Sequence, residues 1–184
     1  VVAIVIEISR RSFLLGTASL IPSRGVAAPP VDGTVLIGDS HAYMMNRAFH
    51  DVAHAYDRRV AVVAHGGSSV RQWLVKKWVQ REVLAKYPDA TLLLVSLGTN
   101  CTRSERPRLA DDIRRLVSES GVSVSWLLPP PMKFDTTYLR DAVKQVTGVF
   151  PIDPGPLPML RDKIHATPKG YYMWAQTIAD TLWS

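Results

Sequence analysis

The chain has 184 residues, 47% of them hydrophobic and 21% charged, which is the balance of a globular protein and a length that fits one domain with a core of its own. A formal net charge of +6 would suit a polyanion, but the cations are dispersed: Arg58-Arg59, Lys76-Lys77 and Arg114-Arg115 are the densest groupings. No basic stripe interleaved with aromatics exists, so nucleic acid is not an expected partner. The single cysteine, Cys101, excludes an internal disulfide and any multi-cysteine zinc site.

Ser9-Arg10-Arg11-Ser12-Phe13-Leu14-Leu15-Gly16 reads as a twin-arginine export signal: a paired-arginine region, the apolar stretch Phe13 to Ile21, then small residues at Gly25-Val26-Ala27-Ala28. Residues 1–28 are therefore expected to be removed, leaving residues 29–184 as one exported domain, periplasmic or secreted. The apolar stretch falls short of the ~20 residues that a spanning helix requires, so no stable membrane insertion is expected after cleavage.

After Pro29-Pro30, strand-like and helix-like segments alternate. Thr34–Gly38 is a short apolar run suited to a strand buried on both faces, and Ala42 to Tyr56 carries Met45, Ala48, Phe49 and Val52 at helical spacing. Arg59–Ala64 reads as a second strand and Val70 to Tyr87 as one long amphipathic helix. Ala90–Leu97 is the strongest strand signal. Pro107 to Ser120 is helical and stopped by Gly121, and Val122–Leu128 is a strand ended by three prolines. A helix from about Thr136 to Val146 leads to a strand at Val149–Ile152. The last helix has Thr167 as N-cap and Pro168 at its first position. Strand–helix alternation five times over predicts an α/β fold in which helices cover both faces of a five-stranded parallel sheet. In such a sheet ligands bind beyond the carboxyl ends of the strands.

The residues at those ends are Gly38-Asp39-Ser40, His65-Gly66-Gly67-Ser68 and Gly98-Thr99-Asn100, and Asp162-Lys163-Ile164-His165 precedes the final helix. A serine at a strand-to-helix junction is exposed at the sheet edge, with the helix N-terminus favouring its alkoxide character. It still needs a base, and the best candidate is His165, with Asp162 three residues away to orient its ring. Backbone N–H groups at Ser40 and Gly67, with the Asn100 side-chain amide, suit an oxyanion hole.

These four segments, in this order, resemble the blocks of the SGNH hydrolases, also called GDSL esterases, over about Val35 to Tyr171. The resemblance implies a three-layer α/β/α sandwich of flavodoxin-like topology and cofactor-free, metal-free ester hydrolysis through an acyl-enzyme. It also implies the roles: Ser40 as nucleophile, His165 as base, Asp162 as its orienting acid, and Ser40, Gly67 and Asn100 as oxyanion donors. The chain departs from the pattern at Cys101, where many members have Asp. Gly67 is preferred to Gly66 because Ser68-Ser69 follows it as the family's small polar pair does. His41 is expected in the pocket wall and not as a base, since its neighbour on the helix start points elsewhere.

The pair His50 and His54, with Asp51 between, imitates a zinc-hydrolase helix but lacks the usual Glu and a third ligand, so solvated histidines are expected. Core packing is the default role of Trp73, within a helical pattern, and lining of the pocket is the alternative for Trp73 and Arg71, close after the second segment. The expected activity is hydrolysis of short acyl esters, acetyl above all, on a small molecule or a glycan. The competing readings are an O-acyltransferase using the same triad and a non-catalytic glycan-binding module on the same fold.

Overall fold

The computed structural model describes residues 31–184. The paired arginines and the proposed signal, residues 1–28, lie outside the described residues. Five strands, β1 (Thr34–Gly38), β2 (Ala61–Ala64), β3 (Leu92–Ser96), β4 (Ser123–Leu127) and β5 (Val149–Ile152), form one sheet in the order β2-β1-β3-β4-β5. All four pairings are parallel. The expected α/β sandwich is therefore present, with the flavodoxin-like strand order. Its direction reverses between β1 and β3, which opens a crevice at their carboxyl ends.

Alternation along the strands sorts the core into two layers. Val35, Ile37, Leu93, Val95, Val124 and Trp126 pack beneath α2 (Val70–Lys76), α3 (Leu109–Ser120) and α4 (Thr137–Lys144). Leu36, Leu94, Leu127 and Ile152 pack beneath α1 (Ser40–Ala55) and α5 (Pro168–Leu182). Each such side chain, taken fully out of water, contributes about 1.5–3 kcal/mol. No helix among the described residues is long and apolar enough to cross a membrane.

One expected element differs. The long helix from Val70 to Tyr87 is two pieces: α2 starts on a capping box between Ser69 and Gln72 and ends at Lys77, which adopts a left-handed φ of 53°, and a wider π-helical stretch follows at Val79–Leu84. The change of path buries Val79 and Val83. It also stacks Trp78 on His65, ring centroids 3.8 Å apart, and brings Glu82 within 2.9 Å of the His65 ring. Apolar periodicity alone does not register such a break, because both pieces keep their apolar residues on the sheet side.

Candidate active site

The site begins where β1 meets α1. Gly38 lies so close to its neighbours that a Cβ there would stand 2.5 Å from the Ser96 carbonyl oxygen and 2.7 Å from the Ala42 Cβ. Only glycine lets the strand turn this tightly into the helix. Asp39 then caps α1, accepting from the His41 N–H at 2.9 Å, and Ser40 becomes the first helical residue, half-buried at the sheet edge.

The partner of Ser40 arrives 125 residues later. Ser40 Oγ stands 3.0 Å from His165 Nε2, and His165 Nδ1 stands 2.7 Å from Asp162 Oδ2. The carboxylate also folds its own loop, because Oδ1 accepts from the backbone N–H groups of Ile164 at 2.8 Å and His165 at 3.0 Å. The hydrogen bond from the His165 ring, helped by those two amides, holds the Asp162 carboxyl well below the usual carboxylate range. An ionised Asp162 accepts a hydrogen bond from Nδ1–H and so fixes the tautomer whose Nε2 lone pair faces the serine hydroxyl. Asp162 remains accessible, its side chain 41% exposed.

On the other side of Ser40, the second and third segments meet through Asp39. Thr99 Oγ1 donates to Asp39 Oδ2 at 2.8 Å, and Asn100 Nδ2 donates to the same oxygen at 2.9 Å. Asn100 Nδ2 also reaches the Ser68 carbonyl at 3.3 Å, so the Gly67-Ser68 turn and the Asn100 loop are joined. Gly67 has φ +74° with nothing near its would-be Cβ, so backbone conformation and not space calls for glycine there. Among the described residues, neither the Ser40 nor the Gly67 backbone N–H donates to a backbone acceptor.

Asp39, named in the sequence only as part of its segment, is the residue through which the segments are joined. It is fully buried, and burial pushes its carboxyl up to about 6 despite the opposing donors from the His41 N–H and the Thr99 hydroxyl. Its signal was available, since an acid directly follows an entirely apolar strand. One expectation, on His41, is corrected, and the default reading of Trp73 as core agrees with the structure. His41 lies not in a pocket wall but inside the protein, 1% exposed, because its side chain turns between α1 and α5. Trp73 is fully buried, donating its indole N–H to Ser68 Oγ at 2.9 Å, so it is core and a brace for the Gly67 turn. Arg71 is exposed near Asp112. His50 and His54 are exposed on α1. Cys101 is buried, its thiol pushed up to about 11 chiefly by desolvation, and it is not a poised nucleophile.

No family model and no curated protein sequence matches the chain. Solved structures do resemble it. An acetyl xylan esterase, AlAXEase, superposes with a TM-score of 0.64 at 11% identity over 81% of this chain and 99% of its own. A lipolytic protein of the G-D-S-L family from Desulfitobacterium hafniense gives 0.64 at 12% identity, over 82% of this chain and all (100%) of the other. The C-terminal catalytic domain of the peptidoglycan O-acetyltransferase OatA of Streptococcus pneumoniae gives 0.58 at 20% identity, over 84% and 94%. The chain has the fold of these proteins.

Proposed function

We propose that the chain is a serine ester hydrolase of the SGNH type that cleaves short acyl esters, acetyl foremost, with Ser40 as nucleophile. The observation that carries this reading is the unbroken relay from Ser40 Oγ through His165 to Asp162, assembled from the two ends of the domain at the carboxyl edge of the sheet. In this reading His165 Nε2 accepts the Ser40 proton as Oγ attacks the ester carbonyl. The oxyanion draws on the N–H groups of Ser40 and Gly67. It also takes the Asn100 amide hydrogen now held by the longer, 3.3 Å contact to the Ser68 carbonyl, while Asp39 keeps the other. A single donor of this kind is worth about 2.7–4 kcal/mol in the transition state. The proton on Nε2 passes to the departing alkoxide, leaving acyl-Ser40, and a water activated at the same nitrogen releases the acid.

The preference for short acyl groups rests on the open edge: the second-segment loop is only His65–Ser69, and the triad acid faces solvent. Export through the twin-arginine signal makes an O-acetylated envelope or environmental glycan the natural substrate. A second reading, O-acyl transfer, keeps every residue and replaces water with an acceptor hydroxyl, and the likeness to the OatA domain favours including it. A binding module without catalysis would have no use for the aligned serine and histidine.

The test is turnover of p-nitrophenyl acetate, butyrate and octanoate by residues 29–184, with and without chelator, alongside Ser40→Ala. The expected result is chelator-insensitive hydrolysis that falls with acyl length and disappears in the variant. Turnover that survives Ser40→Ala would overturn the assignment, and product formed only when a sugar acceptor is supplied would favour transfer.

A further inference from the structure

The buried His41 is not needed by the relay described above, yet it touches both of its halves. Its backbone follows Ser40 directly, and its ring lies against the His165 ring, centroids 5.3 Å apart and tilted by 44°. Its other contacts come from α5. Nδ1 lies 3.3 Å from the Tyr171 hydroxyl, and the Trp174 indole meets the imidazole edge-on, centroids 5.8 Å apart. The Tyr171 hydroxyl is in turn 3.7 Å from Met44 Sδ, a weak acceptor, so its oxygen is best used as the acceptor for a proton on His41 Nδ1. That tautomer leaves Nε2 as a bare lone pair, and His41 Nε2 is one of two buried side-chain polar atoms without a partner among the described residues. An unpaired buried nitrogen costs stability, so the ring holds its place beside His165 at some expense to the fold.

We propose that His41 is a positioning residue for His165: its ring, held by Tyr171 and Trp174, packs beside the catalytic imidazole and limits the access of water to that side. This inference rests on the Ser40–His165 reading. Burial, followed by the proximity of His165, pushes His41 down to about 4, so it stays uncharged wherever His165 works. The imidazolium that forms on His165 during acyl transfer is then balanced by Asp162 on one edge and faces a dry, uncharged surface on the other. The titratable groups around the two rings are Asp39 at the cap of α1, Asp162 in the loop of His165, and Tyr171 on α5, whose hydroxyl is pushed up by burial and then by those two acids.

The test uses residues 29–184, the variants His41→Ala, His41→Phe and Ser40→Ala, and two readouts against pH: kcat/KM for p-nitrophenyl acetate and the rate of fluorophosphonate labelling, which needs no knowledge of the natural ester. His41→Ala admits water beside His165. The expected result is a drop in kcat and in labelling rate of about tenfold or more with KM within threefold, together with a shift of the acid limb to higher pH as water stabilises the imidazolium. His41→Phe keeps a ring and is expected to restore the acid limb and most of kcat. Should the alanine variant not fold, as near-ultraviolet circular dichroism would report, the phenylalanine variant still decides: a shifted limb in a folded His41→Phe overturns the role of the neutral ring. Unchanged kcat in His41→Ala, or a rise in KM alone, also overturns it. Because Ser40→Ala runs in parallel, labelling that survives there overturns the hydrolase reading instead, and the two failures are told apart.

Discussion

The two sides of the sheet solve the problem of buried polar atoms differently. Beneath α2, α3 and α4 the large indoles are satisfied: Trp73 donates to Ser68 Oγ and Trp126 to the Leu97 carbonyl. Between α1 and α5, His41 Nε2 and Trp174 Nε1 are buried with no partner. The second pair meets His165 through the His41 ring, whereas the first pair includes the brace of the Gly67 turn.

That contrast can be broken by substitution. On the α1–α5 side, removing the base of such a triad costs on the order of 10^6-fold in kcat and removing its orienting acid on the order of 10^4-fold. His165→Ala is thus expected to be the more damaging to kcat and Asp162→Ala the milder, although the latter also loses the carboxylate that accepts from the Ile164 and His165 amides. The reverse ranking in steady-state assays would mean that the two roles are misassigned. On the other side, Trp126→Ala is expected to lower stability by about 3–5 kcal/mol in urea titrations. A smaller but sharper effect is expected at the junction of the two sides: Asp39→Ala releases the Asn100 amide and should lower kcat by about a hundredfold, at the low end of the scale for one lost oxyanion donor, with KM little changed. At the small end, Arg115→Ala on the exposed face of α3 breaks an i,i+4 pair with Glu119 and should change stability by no more than about 0.5 kcal/mol.

The pH dependence of stability separates the sides further. His41 binds its proton more weakly folded, at about 4, than at its ordinary 6.5, so its contribution to stability is lost as pH falls from 6.5 towards 4. Asp39 works the other way: its carboxyl is raised from 3.8 to about 6, so the fold takes up a proton first and gains stability as pH falls through the same interval. His41→Phe removes the first effect and leaves the second. Relative to wild type, the variant should therefore gain stability between pH 7 and pH 4.5 in chemical denaturation, whereas a parallel loss in both proteins would refute the buried neutral histidine.

The legible parts were those set by period and punctuation. Apolar runs at Thr34–Gly38 and Leu92–Ser96, and the Thr167-Pro168 cap, carry their structure locally, and strand–helix alternation dictates the parallel sheet. Ser40 stands out at a strand-to-helix junction, and Asp162 and His165 by their spacing in the loop before the final helix. What escaped depends on three-dimensional closure. The break at Lys77 is forced by packing around Trp78 and His65. His41 looked like wall because its burial is decided by α5, 130 residues away in sequence. Asp39 looked like part of a motif, when it is the buried anchor that holds Thr99 and Asn100.

The most direct measurement is intact-protein and peptide mass spectrometry of residues 29–184 after brief exposure to a fluorophosphonate, run beside Ser40→Ala and His165→Ala. One adduct per chain on Ser40, absent from Ser40→Ala and slowed by orders of magnitude in His165→Ala, is the expected result. A folded wild-type protein that takes no adduct, or takes it on another serine such as Ser68, would contradict Ser40 as an activated nucleophile.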